Sequence, residues 1–225
     1  LGLPPSVARA LAVPLVQAFG RQLPEAQLSI TEALSASMQE QLASGRLDIA
    51  VLYNAQPVPG LDIAPLARDE LLLVQRATVP AGPAGAIALR ELTRLPLVIP
   101  SRPNAIRVHV ETVMAAAGCA PRVALEIDGV ATILELVEGG AGSAILSRHA
   151  LAGVARPGAF ALRPIQAPDG QPLHIPLYTA VSALPCAIPR DTGATLQSFL
   201  KAVDASKPDI AVVCSFNEWL EMTQV

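Results

Sequence analysis

The residues of this chain that could do chemistry are few, and they gather at turns. Ser6 follows Leu3-Pro4-Pro5, and Ser35 and Ser37 follow an alternating segment. Ser101, Arg102 and Asn104 lie in Pro100-Ser101-Arg102-Pro103-Asn104, and Gly129-Val130 follow Asp128. Each group stands where a strand hands over to a helix, outside the carboxyl end of the strand, which is where open α/β sheets hold ligands. That chemistry is binding. Turnover would need a nucleophile or an acid and a base set together, and the chain has no GxSxG, no HExxH and no paired carboxylates at a turn. His109, His149 and His174 lie far apart with no paired acid, so neither catalysis nor a metal site is expected of them. Gly139-Gly140-Ala141-Gly142 has the composition of a phosphate loop but follows a helix and precedes a strand, the reverse of the order such a loop requires. Taken alone, Ser6 and Ser35 read as helix N-caps, Arg102 as a loop charge beside two prolines, and Asp48 as a turn residue or the partner of Arg46.

Two stretches built to one plan must position these turns. Residues 28–52 (LSITEALSASMQEQLASGRLDIAVL) run from an alternating segment through a helical stretch that stops at Ser44-Gly45 into a compact apolar strand. Residues 123–146 (VALEIDGVATILELVEGGAGSAIL) repeat that order, with Gly139-Gly140 as the stop. Each reads as a β-α-β unit of a parallel sheet. They are spaced by roughly 95 residues, as two successive compact domains would be. The chain therefore reads as two α/β lobes with a ligand cleft between them.

The remaining pattern fills in the lobes. A helix runs from the Pro4-Pro5-Ser6 turn to about Phe19, with Val7, Leu11, Leu15 and Phe19 as its apolar stripe. The second helix begins at Ser35, or at Ser37 with Glu40 completing a capping box. Strands are expected at 28–33, 49–53, 61–66, 70–75, 97–99, 124–127, 143–146, 160–165 and 173–179. Further helices are expected at 89–92, from Asn104 to Gly118, to Glu138, and at 192–203, with a Pro/Gly-rich loop at 80–86. The chain leaves the first lobe and returns, through hinge segments at 68–71 and 166–172.

Composition narrows the class. With 225 residues, 52% of them hydrophobic and only 16% charged, there is apolar material for one large or two small cores, and disorder is excluded. Aromatics make up 3%, so aliphatic and alanine packing must carry those cores. A net charge of -3 with dispersed Lys and Arg argues against this chain gripping nucleic acid through its own surface. Cys119, Cys186 and Cys214 are odd in number and lack zinc-site spacing, so they read as free thiols in a reducing compartment. No run is long and apolar enough to span a membrane and no signal peptide opens the chain, which makes the cytoplasm the expected location. The first residue is Leu, consistent with a fragment of a longer protein.

Three stretches together carry a resemblance: Gly2-Leu3-Pro4-Pro5-Ser6, then Glu40-Gln41-Leu42-Ala43-Ser44-Gly45-Arg46-Leu47-Asp48-Ile49-Ala50, then residues 139–146. Over residues 1–205 the chain resembles the effector-binding domain of LysR-type transcriptional regulators, and the PPS start and EALS segment look most like the nitrogen-assimilation-control branch. The resemblance implies an α/β, periplasmic-binding-protein type 2 fold of two Rossmann-like subdomains. Subdomain I would be residues 1–69 and 168–225, and subdomain II residues 70–167. The N-terminal winged helix-turn-helix of such regulators would be absent from this chain. The resemblance further implies a small-molecule inducer, a homodimer or tetramer, promoter DNA contacted only through the missing region, and no cofactor, metal or membrane. Ser6 and Ser35 match the hydroxyl positions that approach the inducer from one lobe. Pro100, Ser101, Arg102, Asn104, Gly129 and Val130 match loops of the other. The physics suits a carboxylate, since helix N-termini offer unpaired N–H groups and Arg102 can add a bidentate contact. The chain departs from the family in residues 209–225, an apolar segment containing Trp219. The function expected is an effector-sensing regulatory domain. The alternative is a solute-binding protein of transport, and no enzyme activity is expected.

Overall fold

The computed structural model describes residues 1–77 and 85–182. The expected helix at 192–203, the segment 209–225, Cys186, Cys214 and most of the loop at 80–86 lie outside the described residues. In chain order the elements are β1 (Gly2–Leu3), α1 (Pro5–Gln22), β2 (Thr31–Glu32), α2 (Ser35–Ala43), β3 (Ile49–Tyr53), β4 (Leu61–Arg76) and β5 (Ile87–Ala88). A 3-10 turn follows at Leu89–Arg94, then β6 (Leu97–Ile99), α3 (Ala105–Ala116), β7 (Val123–Glu126), α4 (Val130–Glu138) and β8 (Ala144–Ser147). After a 3-10 turn at Arg148–Leu151 come β9 (Phe160–Gln166) and β10 (His174–Ser182).

The chain divides into two compact units, one formed by Leu1–Arg68 with the return from Pro176, the other by Asp69–Ile175. In the first, β1 lies between β2 and β3 and is parallel to both, Gly2 facing Thr31 on one side and Ala50 on the other. β10 then adds antiparallel to β3, Tyr53 opposite Leu177. In the second, β6 is parallel to β7, with Leu97 opposite Val123. On its other side Leu97 bridges in parallel to Ser143, just ahead of β8. β4 pairs antiparallel with both β8 and β9. Each unit thus places an earlier strand, β1 in the first and β6 in the second, between the two strands of its β-α-β crossover. The same segment order in the chain produces the same strand order in space.

The physical chemistry of the sequence explains most boundaries. Pro5 at the first position of α1 already has the helical φ and needs no N–H partner, so Pro4 is the cap and Ser6 lies inside the first turn. α2 likewise starts at Ser35 with Leu34 as its cap, and neither α1 nor α2 has a side-chain cap. The expected N-cap roles of the two serines, and a box starting at Ser37, are therefore corrected. The strand expected at 28–33 shrinks to Thr31–Glu32, because β1 offers only two residues to pair with. Strands expected at 61–66 and 70–75 are one continuous strand through Pro65 and the boundary at Arg68. The segment at 166–172 is not a crossing. It is the hairpin turn between β9 and β10, closed by Gln166 against Pro172, and the chain changes unit within β10.

Aliphatic packing fills both cores, as the shortage of aromatics requires. Met38, Leu42, Leu47, Ala50, Leu52, Leu61 and Ala180 cluster in the first unit. Val74, Val98, Ile133, Leu134, Val137, Ala144 and Leu146 cluster in the second. The glycine-rich stretch after α4 serves this packing. Gly140 takes φ +84, and a Cβ at Gly142 would come within 2.6 Å of the Pro96 carbonyl, so the close approach of β6 demands glycine there.

Candidate functional site

In the first unit the two candidate serines meet through a residue that the sequence reading did not single out. Tyr53, at the end of β3, donates its backbone N–H to Ser35 Oγ at 2.9 Å, and its phenol oxygen lies 2.9 Å from Ser6 Oγ. All three are buried. A hydroxyl has one proton and two lone pairs, so Ser35, accepting from an amide, still has a proton to donate. Around these hydroxyls α1 and α2 start without side-chain caps, leaving first-turn N–H groups and the positive end of each helix dipole to meet an anion.

In the second unit the candidate residues are brought together but engage one another. Ser101 donates both its backbone N–H (3.0 Å) and its hydroxyl (2.7 Å) to the Asp128 carboxylate, tying the loop after β6 to the turn before α4. Asn104 Oδ1 accepts from the N–H groups of Ile106 and Arg107 and so caps α3. Arg102 is exposed, with its Nε and guanidinium nitrogen each 2.9 Å from Glu111. Arg107, at 7% exposure, bonds Glu111, approaches Glu126 at 3.1 Å and donates to the Pro100 carbonyl at 3.2 Å. Burial alone would raise the Glu111 carboxyl, but hydrogen bonds from Arg107 and Arg102, and their charges, hold it below the usual carboxylate range. Gly129 caps α4 at φ +98 with no side chain in the way, so Val130 opens a helix whose N-terminus is bare.

One histidine, His149, corrects the expectation of no paired acid. His149 Nδ1 lies 2.8 Å from Asp69 Oδ2, with Asp69 at 1% exposure, and its neighbour Arg148 donates to Glu70. His109 Nε2 is 2.9 Å from the His174 carbonyl, and His174 Nδ1 is 2.7 Å from that of Pro172. Contacts across 65 and 80 residues of chain leave no local sequence signal. No group of three or more potential metal ligands exists among the described residues. Burial lowers the His109 pKa, its bond to His174 offsetting part of the effect. The folded state therefore resists protonating His109 more than the unfolded chain does. Stability should be full above the ordinary histidine pKa of about 6.5 and fall as pH drops from there toward the lowered value. Urea midpoints measured between pH 7.5 and 5 should show that decline in the native chain and a shallower one in His109→Gln. Equal slopes would rule His109 out as its source.

Two α/β units whose β-α-β crossovers are threaded alike, joined by strands that run from one into the other, define the periplasmic-binding-protein type 2 plan of ligand-sensing domains. The chain belongs to the LysR substrate binding domain family, whose model matches residues 1–185. Among relatives, the nitrogen assimilation regulatory protein nac of Klebsiella aerogenes is 28% identical over 151 residues, covering 67% of this chain and 48% of that protein. Among solved structures, the CcmR regulatory domain of Synechocystis PCC6803, in complex with 2-PG, superposes with a TM-score of 0.75 at 18% identity, covering 91% of this chain and 94% of that one. The C-terminal domain of a probable LysR family regulator from Rhodococcus sp. RHA1 gives a TM-score of 0.70 at 25% identity, covering 90% and 96%. The chain spans about half the length of the curated relatives it matches. No helix among the described residues is long and apolar enough to cross a membrane.

Proposed function

We propose that this domain senses a small carboxylate effector for a cytoplasmic DNA-binding transcriptional regulator of the nitrogen-assimilation-control type, and that it is not itself an enzyme. The observation that carries the reading is the family match over residues 1–185, and the nac relative supports the branch. Ser6 and Ser35 with the bare starts of α1 and α2, and Gly129-Val130 with the bare start of α4, supply donors for an anion. Pro100, Ser101, Arg102 and Asn104 contribute a loop of the second unit, in which Arg102 would exchange Glu111 for the ligand. The 2-PG complex of a protein of the same fold supports a bound effector. We take the two units as regulatory subdomains I and II.

The partners follow the same reading. α1 exposes Val13 at 68% and Val16 at 52%, while Val7 and Leu15 of its expected stripe face the core. Val108 of α3 and Val123 and Leu125 of β7 are also exposed, which supports self-association into a homodimer or tetramer. Promoter DNA would be held by a winged helix-turn-helix upstream of Leu1. A gel-shift assay tests this. Residues 1–225 alone, at net charge -3, should not shift duplex DNA at physiological salt. The gene product extended upstream should shift a partly palindromic site, and a carboxylate effector should change the mobility of that complex. Failure of the extended protein to give any sequence-specific shift would overturn the regulator reading.

A further inference from the structure

Tyr53 stands apart from the rest of the first unit's core. The buried cluster of that core is aliphatic apart from Met38, and the chain's other tyrosine, Tyr178, packs against it from a partly buried position. The residue is 4% exposed, and the backbone on both sides of its amide is fixed. Tyr53 pairs with Leu177 across β10, the N–H of Asn54 donates to the Pro176 carbonyl at 2.9 Å, and Asn54 turns the chain with φ 48. The Tyr53 N–H therefore points at Ser35 from a rigid base, while its phenol reaches Ser6, 47 residues earlier. A phenylalanine would fill the same space. The hydroxyl adds a polar contact with a serine in the first turn of α1.

We infer that Tyr53 is the positioning residue of the effector site, its amide orienting the Ser35 hydroxyl with its proton free to donate and its phenol holding the Ser6 hydroxyl beside it. This rests on the reading above that the turns of β1 and β2 hold a small anion. With the amide on one of its two lone pairs, the Ser35 hydroxyl keeps its proton for an acceptor such as a carboxylate and has one lone pair fewer to offer a ligand donor. Ser6 lies in the first turn of an uncapped helix, and a fixed rotamer there adds a second donor or acceptor at a defined place. A freely turning hydroxyl would lose that preorganisation on binding.

Tyr53→Phe removes the phenol contact and keeps the amide. It is tested beside Ser6→Ala and the double variant, by calorimetric titration with acetate, pyruvate, glutamate and benzoate and by thermal unfolding. The native chain should bind at least one of these. Each single variant should weaken that binding by about tenfold, the effect of one hydrogen bond to a charged group. The double variant should be no weaker than Ser6→Ala alone, because the phenol acts through the Ser6 hydroxyl that Ser6→Ala already removes. A purely structural tyrosine would lower the unfolding midpoint and leave affinity unchanged, and that result overturns the inference while sparing the anion reading. Losses that multiply in the double variant also overturn it. If the native chain binds none of the four acids, the anion reading falls and this inference with it.

Discussion

Replacing Arg107 with methionine is expected to destabilise the domain by about 3 kcal/mol, the lower end of the range for removing one partner of a buried ion pair. The lower end applies because Glu126 is half exposed and passes to water, and Glu111 keeps Arg102. Glu111, largely buried, still loses its closest donor, and the Pro100 carbonyl, in a buried residue, loses the guanidinium that fills it. Methionine preserves the apolar stem, so the loss isolates charge from packing. The cluster also has a pH signature. With the Glu111 carboxyl held low in the folded state, its contribution is complete above the ordinary glutamate range and disappears as pH falls through the lowered value. Urea unfolding at pH 7 and pH 3 should therefore show the native chain and Arg107→Met converging in acid. A difference under 1 kcal/mol at pH 7 would mean that the cluster does not hold the loop from Pro100 to Asn104.

The reason that cluster was not foreseen is instructive. Arg107 and Glu111 are four apart on a helix and could have been read as a surface pair. Only the placement of β7, which brings Glu126 alongside, and the turn at Pro100 make Arg107 an interior residue. Strands such as β3 and β6, and the helix α4, were legible because short apolar runs or strong 3.6-residue periodicity are bounded by glycine, proline or polar residues, which are local facts. The start of α1 was legible from its Pro-Pro-Ser turn, but its cap was not: Pro5 at the first helical position makes Pro4 the cap and puts Ser6 inside the first turn. Fusion of two expected strands into β4 was not legible either. Arg68-Asp69 breaks the apolar pattern, yet Asp69 is covered by His149 from 80 residues away and the strand continues. Tyr53 shows the same limit at the candidate site: its partners Ser6 and Ser35 come from two other turns, and nothing near it in the chain marks the meeting.

Leu42→Ala is expected to cost about 2–5 kcal/mol, a large part of the roughly 5–15 kcal/mol that holds a domain folded. Leu42 is fully buried on α2 and packs in the cluster with Met38, Leu47, Ala50 and Leu52. Its surroundings are poor at closing a hole. Ala50, Ala55 and Ala180 have no side chain long enough to move in, and Met38 is the one methionine of that cluster. The upper half of the range is therefore expected, with Leu42→Met, which nearly conserves volume, losing under about 1.5 kcal/mol. The consequence reaches the candidate site because the same helix presents Ser35 at its first position, bonded to Tyr53. Hydrogen exchange of the Tyr53 amide reports that coupling directly. In Leu42→Ala it should quicken together with the α2 amides, while those of α3 and α4 in the other unit keep their native protection. Uniform acceleration through both units would show instead that the chain opens as one cooperative body, and that α2 cannot loosen its serine without unfolding everything else.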